Sequence, residues 1–308
     1  MEDARNSYDS SRKFGLTFRS TFVTRFMTFG FATLIGILST LFMTAVSTAD
    51  DGFAVMTYNI RYQNERDGDD RWVHRRDTVI KAIAEADIVG LQEVVLSQLD
   101  AIKAVTSGWT WVGVGRDDGA SAGEFSPIGF RDSDFRMIDQ DTRWLSESPE
   151  VAGSKGWDAA LPRVFTWAIL ESKSTQTQIM IINTHFDHVG KVARLNSAKA
   201  IARWIDENAT MPVLCMGDFN AQSESDVLSA AKSGKLIVLR DARSKSASSP
   251  EGPTGTWNGF KAMEPNSRID HILVDDRVSV ETYRTLDPRT PSGRFASDHH
   301  PVVVRIGF

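Results

Sequence analysis

Met211-Pro212-Val213-Leu214-Cys215-Met216-Gly217-Asp218-Phe219-Asn220 runs from an apolar stretch straight into a glycine, a carboxylate and a carboxamide. The apolar part, Met211–Met216, reads as a short buried strand. Gly217 lets the backbone turn tightly where the strand leaves the core. Asp218 and Asn220 then share one loop. The same kind of junction recurs along the chain in both directions. Before it come Met56-Thr57-Tyr58-Asn59, Leu91-Gln92-Glu93-Val94 and Asn183-Thr184-His185. After it come Arg268-Ile269-Asp270-His271 and Ser297-Asp298-His299. Each puts Asp, Glu, Asn or His where a buried strand emerges. Carboxylates, carboxamides and imidazoles converging from several strand ends are what a hard metal ion and a phosphate group need.

Between the junctions, strand and helix patterns alternate. Phe53–Ile60 and Ile88–Leu91 read as strands, with Val79, Ile80 and Ile83 at helical spacing in residues 74–86 between them. Leu96–Val105 reads as a second helix. Shorter strands are expected at Trp109–Val114, Pro127–Arg131 and Arg143–Leu145. Val164–Leu170 and Ile179–Asn183 form a strand pair across the polar turn Lys173-Ser174-Thr175-Gln176. A helix spans Val192–Asn208, with Leu195, Ala198, Ile201, Ala202 and Ile205 on its apolar stripe. The Ser, Pro and Gly of 244–255 mark a loop, and Ile269–Val274, Val278–Leu286 and Val302–Ile306 complete the strands. There is no internal repeat and no long linker, so one α/β domain with strands in mixed directions is expected.

The 308 residues, 41% of them hydrophobic, are ample for one large core. Cys215 is the single cysteine, which excludes an intramolecular disulfide and a thiolate metal cluster; its apolar setting reads as packing. No Gly-x-x-x-x-Gly-Lys phosphate loop occurs in the sequence. Arg12, Lys13, Arg19 and Arg25 precede the uncharged, largely apolar stretch Phe26–Val46, and small residues Ser47-Thr48-Ala49 follow. That order is expected of an export signal, residues 1–49, with a catalytic domain at 50–308 in the periplasm or outside the cell. The apolar stretch is also long enough for a membrane anchor at 26–46, the alternative to cleavage. The full chain has 35 basic and 40 acidic residues; without the five basic and three acidic residues of 1–49, 30 and 37 remain. With no Lys/Arg run either, this weighs against a protein that grips long nucleic acid through many phosphates.

Taken together, the motifs resemble the endonuclease/exonuclease/phosphatase superfamily, whose branches include deoxyribonucleases, inositol polyphosphate phosphatases and nocturnin-like deadenylases. The likeness covers nearly all of residues 53–306, in the family's order. Gly217-Asp218-Phe219-Asn220 and Ser297-Asp298-His299-His300-Pro301-Val302 carry it most strongly, with Leu91-Gln92-Glu93. Trp144-Leu145-Ser146-Glu147 and the region around Trp157 look like an exported bacterial branch nearest the nocturnin and deadenylase group. The resemblance implies a four-layer α/β/β/α sandwich, two packed mixed β-sheets flanked by helices.

It also implies roles. Glu93 is the principal Mg²⁺ ligand, with Mn²⁺ a substitute, and Asn59 and Asp298 complete the metal side. Asp218 orients or deprotonates the attacking water. Asn220 and His185 bond the phosphoryl group, and His299, oriented by Asp270, stabilises its charge. Glu124 matches the glutamate paired with the second histidine in the deoxyribonuclease branch. His300 and His271 read as packing, and Asp187 and His188 as structural neighbours. Arg61, Arg116, Arg163 and Arg294 lie near motif segments as unranked partners for a substrate phosphate. Trp144, Trp157, Trp257 and Phe260 either stack a ring or pack the core.

The expected reaction is hydrolysis of a phosphodiester by in-line water attack, nuclease-like and directed at an RNA 3′ end. The alternative substrate is a small or lipid head-group phosphoester. His185-Phe186-Asp187-His188 and Asp298-His299-His300 raise a different reading, a dinuclear zinc or iron phosphoesterase, but the motif set of such sites, which starts with Asp-x-His and includes Gly-Asn-His-Glu/Asp, is not found in that order. A non-catalytic binding protein on the same fold is a third class, disfavoured because every main catalytic position is filled. No obligate protein partner is indicated, and a monomer is expected.

Overall fold

The computed structural model describes residues 52–308. The expected export segment, its cleavage site and the anchor span all lie outside the described residues. No helix among those described is long and apolar enough to cross a membrane.

In chain order the strands are Phe53–Asn59 (β1), Ile88–Gln92 (β2), Trp109–Val112 (β3), Ile128–Arg131 (β4), Phe135–Trp144 (β5), Val164–Ser172 (β6), Gln178–His185 (β7), Val213–Asp218 (β8), Arg240–Asp241 (β9), Asp270–Val274 (β10), Ser279–Thr285 (β11) and Val302–Gly307 (β12). The helices are Trp72–Ile83 (α1), Leu96–Lys103 (α2), Lys191–Asn208 (α3), Asp226–Lys232 (α4) and Ala242–Lys245 (α5). Two six-stranded sheets result, one ordered β11-β12-β1-β2-β4-β3 and the other β5-β6-β7-β8-β10-β9. Each sheet holds one parallel pair, β1 with β2 and β7 with β8. A parallel pair needs a crossover, and α1 and α3 provide the two.

Alternation along the strands sorts side chains into layers. Val55, Ile88, Val302 and Val304 face Leu170, Ile181, Leu214, Met216 and Ile272 between the sheets. Met56, Tyr58, Val89 and Leu91 point the other way, onto Val79 and Ile83 of α1 and Leu99 and Ile102 of α2. Met180, Ile182, Val213 and Cys215 lie under Ala198, Ile201 and Ile205 of α3. The fold is therefore helix, sheet, sheet, helix, the four-layer sandwich that the resemblance implied. Cys215 is buried, and burial pushes its thiol up to about 12, which fits packing rather than nucleophilic chemistry.

Polar groups also pin the sheets together. Gln92 Nε2 donates to Asn183 Oδ1 at 2.6 Å, and Asn183 Nδ2 donates to the carbonyls of Leu91 and Pro127 at 2.8 and 2.9 Å. Gly90 makes room for this clasp, because a Cβ there would stand 2.7 Å from the Asn183 side chain.

Several boundaries differ from the sequence reading. The helix expected over 74–86 runs from Trp72 to Ile83 because buried Trp72 joins its first turn. The strand expected at Arg143–Leu145 is the end of the ten-residue β5, whose middle residues are exposed on an edge strand and show no apolar alternation. The sequence reading did not assign α4; its N-cap is Ser225, which accepts from the Leu228 amide at 3.3 Å.

Candidate active site

The strand ends that carry the motifs converge at one edge of the sandwich. Asn59 ends β1 and Glu93 follows β2 by one residue. In the second sheet, His185 is in register with Asp218, and Asp218 with Asp270, on three neighbouring strands. The segment Ser297–His299 approaches from the loop before β12, held where Ser297 Oγ donates to the Asn59 carbonyl at 2.7 Å. A pocket of about 440 Å³ opens there, and Arg61, Glu93, Glu124, Arg163, His185, Asp218, Asn220, Trp257, Asp298 and His299 are among its lining. Larger grooves of about 610 and 810 Å³ flank α3, but neither contains a histidine.

Local backbone strain concentrates at this edge. Arg61, Glu93 and Asn220 adopt left-handed φ values of 57°, 58° and 46°. Non-glycine residues avoid this region at a cost of about 1–3 kcal/mol each, and they persist in it where surrounding contacts over-determine them. Here those contacts are visible. The Arg61 amide donates to Asn59 Oδ1, the Tyr62 amide donates to Glu93 Oε2, and the Asn220 amide donates to Asp218 Oδ1.

The two histidines are held in opposite protonation states. His299 Nδ1 lies 2.8 Å from Asp270 Oδ2. Burial works against a charged ring there, but Asp270, Asp218 and Asp298 outweigh it and hold the imidazole well above its ordinary value. His185 is pushed well below its ordinary value by burial, with Arg163 and Arg116 adding to the effect. Its Nε2 accepts from Asn220 Nδ2 at 3.1 Å, which leaves the ring proton on Nδ1. Asp218 is fully buried; burial and the nearby Asp270 raise its carboxyl to about 7, the range suited to taking a proton from water at neutral pH.

Glu124 stands beside His185, but its Oε2 is 4.0 Å from Nδ1 and both its oxygens accept from Arg116 at 2.7 and 3.0 Å. His185 Nδ1 has no hydrogen-bond partner among the described residues. Of the four arginines left unranked by the sequence, Arg61 and Arg163 line the pocket. Arg116 is committed to Glu124. Arg294 is not at the site: it grips Asp70 at 2.7 and 2.5 Å. His271 is a core residue, bonded to the Ala221 carbonyl and to Arg268, and His300 Nδ1 faces the Leu286 carbonyl. Asp187 accepts from the amides of Val189 and Gly190 and so shapes its own loop. The pocket walls Tyr62, Leu161 and Ile269 were missed as site residues by the sequence reading, because side chains outside the Asp, Glu, Asn and His motifs carry no chemical pattern.

The donor set can be tested for a metal. Asp218, Asp270 and His299 present ligand atoms within 4.8 Å of one another, yet a protonated His299 bonded to Asp270 has no lone pair to offer. The Glu93 side fits better. Asp298 is raised by burial and also by the Glu93 charge, which marks uncompensated negative charge in the pocket. Arg61 lies 3.8 Å from Glu93 and 3.9 Å from Asp298, outside close hydrogen-bond range. Carboxylate oxygens short of positive charge suit a hard divalent ion rather than zinc or iron held by imidazoles.

Fold and site together define a phosphoester hydrolase of the α/β/β/α type. The sequence model described as the endonuclease/exonuclease/phosphatase family matches residues 56–299, and the chain belongs to that family. Members generally require a divalent metal. An endonuclease/exonuclease/phosphatase protein of Bacteroides vulgatus is 35% identical, covering 83% of this chain and 99% of its own, with a TM-score of 0.79. The mannosyl-6-phosphatase Bt3783 of Bacteroides thetaiotaomicron is 34% identical over 83% of this chain and 100% of its own, with a TM-score of 0.77. The human nocturnin catalytic domain shares the fold at 20% identity, over 84% of this chain and 95% of its own, with a TM-score of 0.64. No curated protein sequence matches the chain.

Proposed function

We propose that this chain is a Mg²⁺-dependent phosphomonoesterase for a small phosphorylated substrate, with Mn²⁺ able to substitute. The observation that carries the reading is the convergence of Glu93, Asp218, Asp298, His185 and His299 on one pocket of about 440 Å³. Glu93 and Asp298, with Asn59 behind them, would hold the cation, which when bound neutralises charge on the phosphoryl oxygens. Asp218 takes the proton of a water aligned for in-line attack. His299, as imidazolium, donates to the non-bridging oxygens, while His185, oriented by Asn220 Nδ2 at its Nε2, clamps the same group. Such chemistry is chiefly positioning and charge stabilisation.

Two observations support a small monoester over the long phosphodiester suggested by the motif resemblance. A protein named as a mannosyl-6-phosphatase is 34% identical across its whole length. The net charge of −5 supplies no field for a polyanion. The sequence order of basic, apolar and small residues in 1–49 supports an exported enzyme whose catalytic domain is residues 50–308. Phosphate release from hexose 6-phosphates, nucleoside monophosphates, phosphodiesters and lipid head-group esters, with Mg²⁺ and Mn²⁺, tests the reading. Turnover of the hexose 6-phosphates is expected. Activity confined to diesters would replace the reading with the nuclease-like one.

A further inference from the structure

Of the four aromatics that the sequence offered as ring platforms, only Trp257 lines the catalytic pocket. Trp144 is buried and donates its indole N–H to the Arg116 carbonyl at 2.7 Å. Trp157 faces the groove beside α3, and Phe260 lies against the Arg75 guanidinium. Trp257 differs in kind. It is 38% exposed, and its indole N–H has no partner among the described residues.

The loop that carries it is rigidly seated. Trp257 forms a β-bridge with His299. The amides of Asn258 and Gly259 donate to the Asp298 carbonyl at 2.8 and 3.1 Å, and the His300 amide donates to Thr256 at 2.6 Å. Asn258 is itself buried and donates from Nδ2 to the Ser297 carbonyl at 3.1 Å. A large, partly exposed indole is therefore fixed to the segment that holds Asp298 and His299. Gly259 sets its attitude. The glycine has φ +56°, and a Cβ there would lie 2.8 Å from Trp257 Cζ2 and 3.0 Å from Cη2. Any side chain at 259 displaces the ring.

We propose that Trp257 is the specificity-determining platform on which the leaving group of the substrate stacks, and that the leaving group is a hexopyranose. This rests on the phosphomonoesterase reading and names its substrate class. The apolar lining of the pocket is Trp257 with Leu161 and Ile269; Arg61, Tyr62, Arg163 and His188 provide polar groups around it. A pyranose matches that division, with an apolar C–H face for the indole and hydroxyls at its edges. A nucleobase is apolar on both faces; of the two aromatic rings in the lining, Tyr62 already carries the Arg61 guanidinium 4.5 Å from its centroid, which leaves Trp257 as the open platform.

The test compares mannose 6-phosphate with glycerol 1-phosphate, two primary-alcohol phosphates of which one carries a ring. In W257A the loss of kcat/KM should be at least 5-fold larger on mannose 6-phosphate than on glycerol 1-phosphate, since stacking on an aromatic contributes roughly 5- to 150-fold. W257F should recover most of the difference. G259A, which keeps the indole but moves it, should reproduce part of the loss with the same selectivity. Equal losses on both substrates, or no loss, would overturn the platform. A larger W257A loss on adenosine 5′-monophosphate than on mannose 6-phosphate would overturn the pyranose. Calorimetric binding of mannose 6-phosphate and of inorganic phosphate separates the two claims. A wild-type chain that turns over no monoester but binds mannose 6-phosphate at least 10-fold tighter than W257A does would end the phosphomonoesterase reading and keep the platform. Binding equal in both proteins would end the platform whatever the activity.

Discussion

Asn59, at the end of β1 in one sheet, donates from Nδ2 to Asp218 Oδ2, at the end of β8 in the other, at 3.0 Å. The same nitrogen donates to Glu93 Oε1 at 3.1 Å. One carboxamide thus ties the acid assigned to the metal to the acid assigned to the water, across the interface of two sheets. N59A should cut kcat/KM by about 100-fold at saturating Mg²⁺, the usual cost of one pre-aligned donor. N59D should lose more, because it sets a third carboxylate against Glu93 and Asp218. Steady-state kinetics on a hexose 6-phosphate decides; activity within 3-fold of wild type in both variants would refute the role of the bridge.

Asp270 holds His299 in its charged form through the 2.8 Å contact at Nδ1. D270N removes that charge and should lower kcat by about 1,000-fold at neutral pH, since an acid–imidazole pair sets both tautomer and charge. The ring of His299 should then lose its proton at a lower pH than in the wild type. An NMR titration of the histidine ring protons, beside circular dichroism showing an intact fold, checks this.

His271 is buried and neutral. Burial, with Arg268 adding to it, lowers its pKa to about 4 from 6.5. Below pH 6.5 the unfolded chain takes up a proton that the folded protein refuses until about pH 4. Stability should therefore fall as pH drops through this window, by on the order of 3 kcal/mol from this group. Denaturant melts of wild type and H271Q between pH 7 and pH 4 measure it: the variant should be less stable at pH 7 and show a shallower fall.

Gly217 has φ +150°, and a Cβ there would stand 2.0 Å from the Thr184 carbonyl oxygen. Both β8 and its parallel neighbour β7 would have to move apart. G217A should cost about 3 kcal/mol, which lowers the melting temperature by roughly 10 °C for a domain of this size. A thermal melt followed by circular dichroism is sufficient; an unchanged midpoint would show that the strands yield without cost.

These residues also show what a sequence can and cannot disclose. The meeting of Asn59, Glu93 and Asp218 was legible, because each ends or directly follows an apolar strand run and the pocket edge is where those runs end; Asp298 instead arrives from the loop before β12. The layering was legible too, since Val55 and Met56 alternate inward and outward along β1. Arg294 was misleading. It sits three residues before Ser297 in the chain, yet its guanidinium is turned outward to Asp70. Strand β5 was largely hidden, because its polar edge-strand residues pair through the backbone and leave no hydrophobic period. Trp257 could not be told from a core tryptophan until the loop carrying it was seen zipped onto the His299 segment.

Glu93 is the residue on which the metal-dependent reading stands. The decisive measurement is phosphate release from a hexose 6-phosphate by wild type and E93Q, titrated with Mg²⁺ after chelation. The account predicts no turnover in chelator, recovery on adding Mg²⁺, and a rate at least 100-fold lower in E93Q with a higher Mg²⁺ requirement. Full wild-type turnover in chelator, or an E93Q enzyme that matches wild type at every Mg²⁺ concentration, would contradict it.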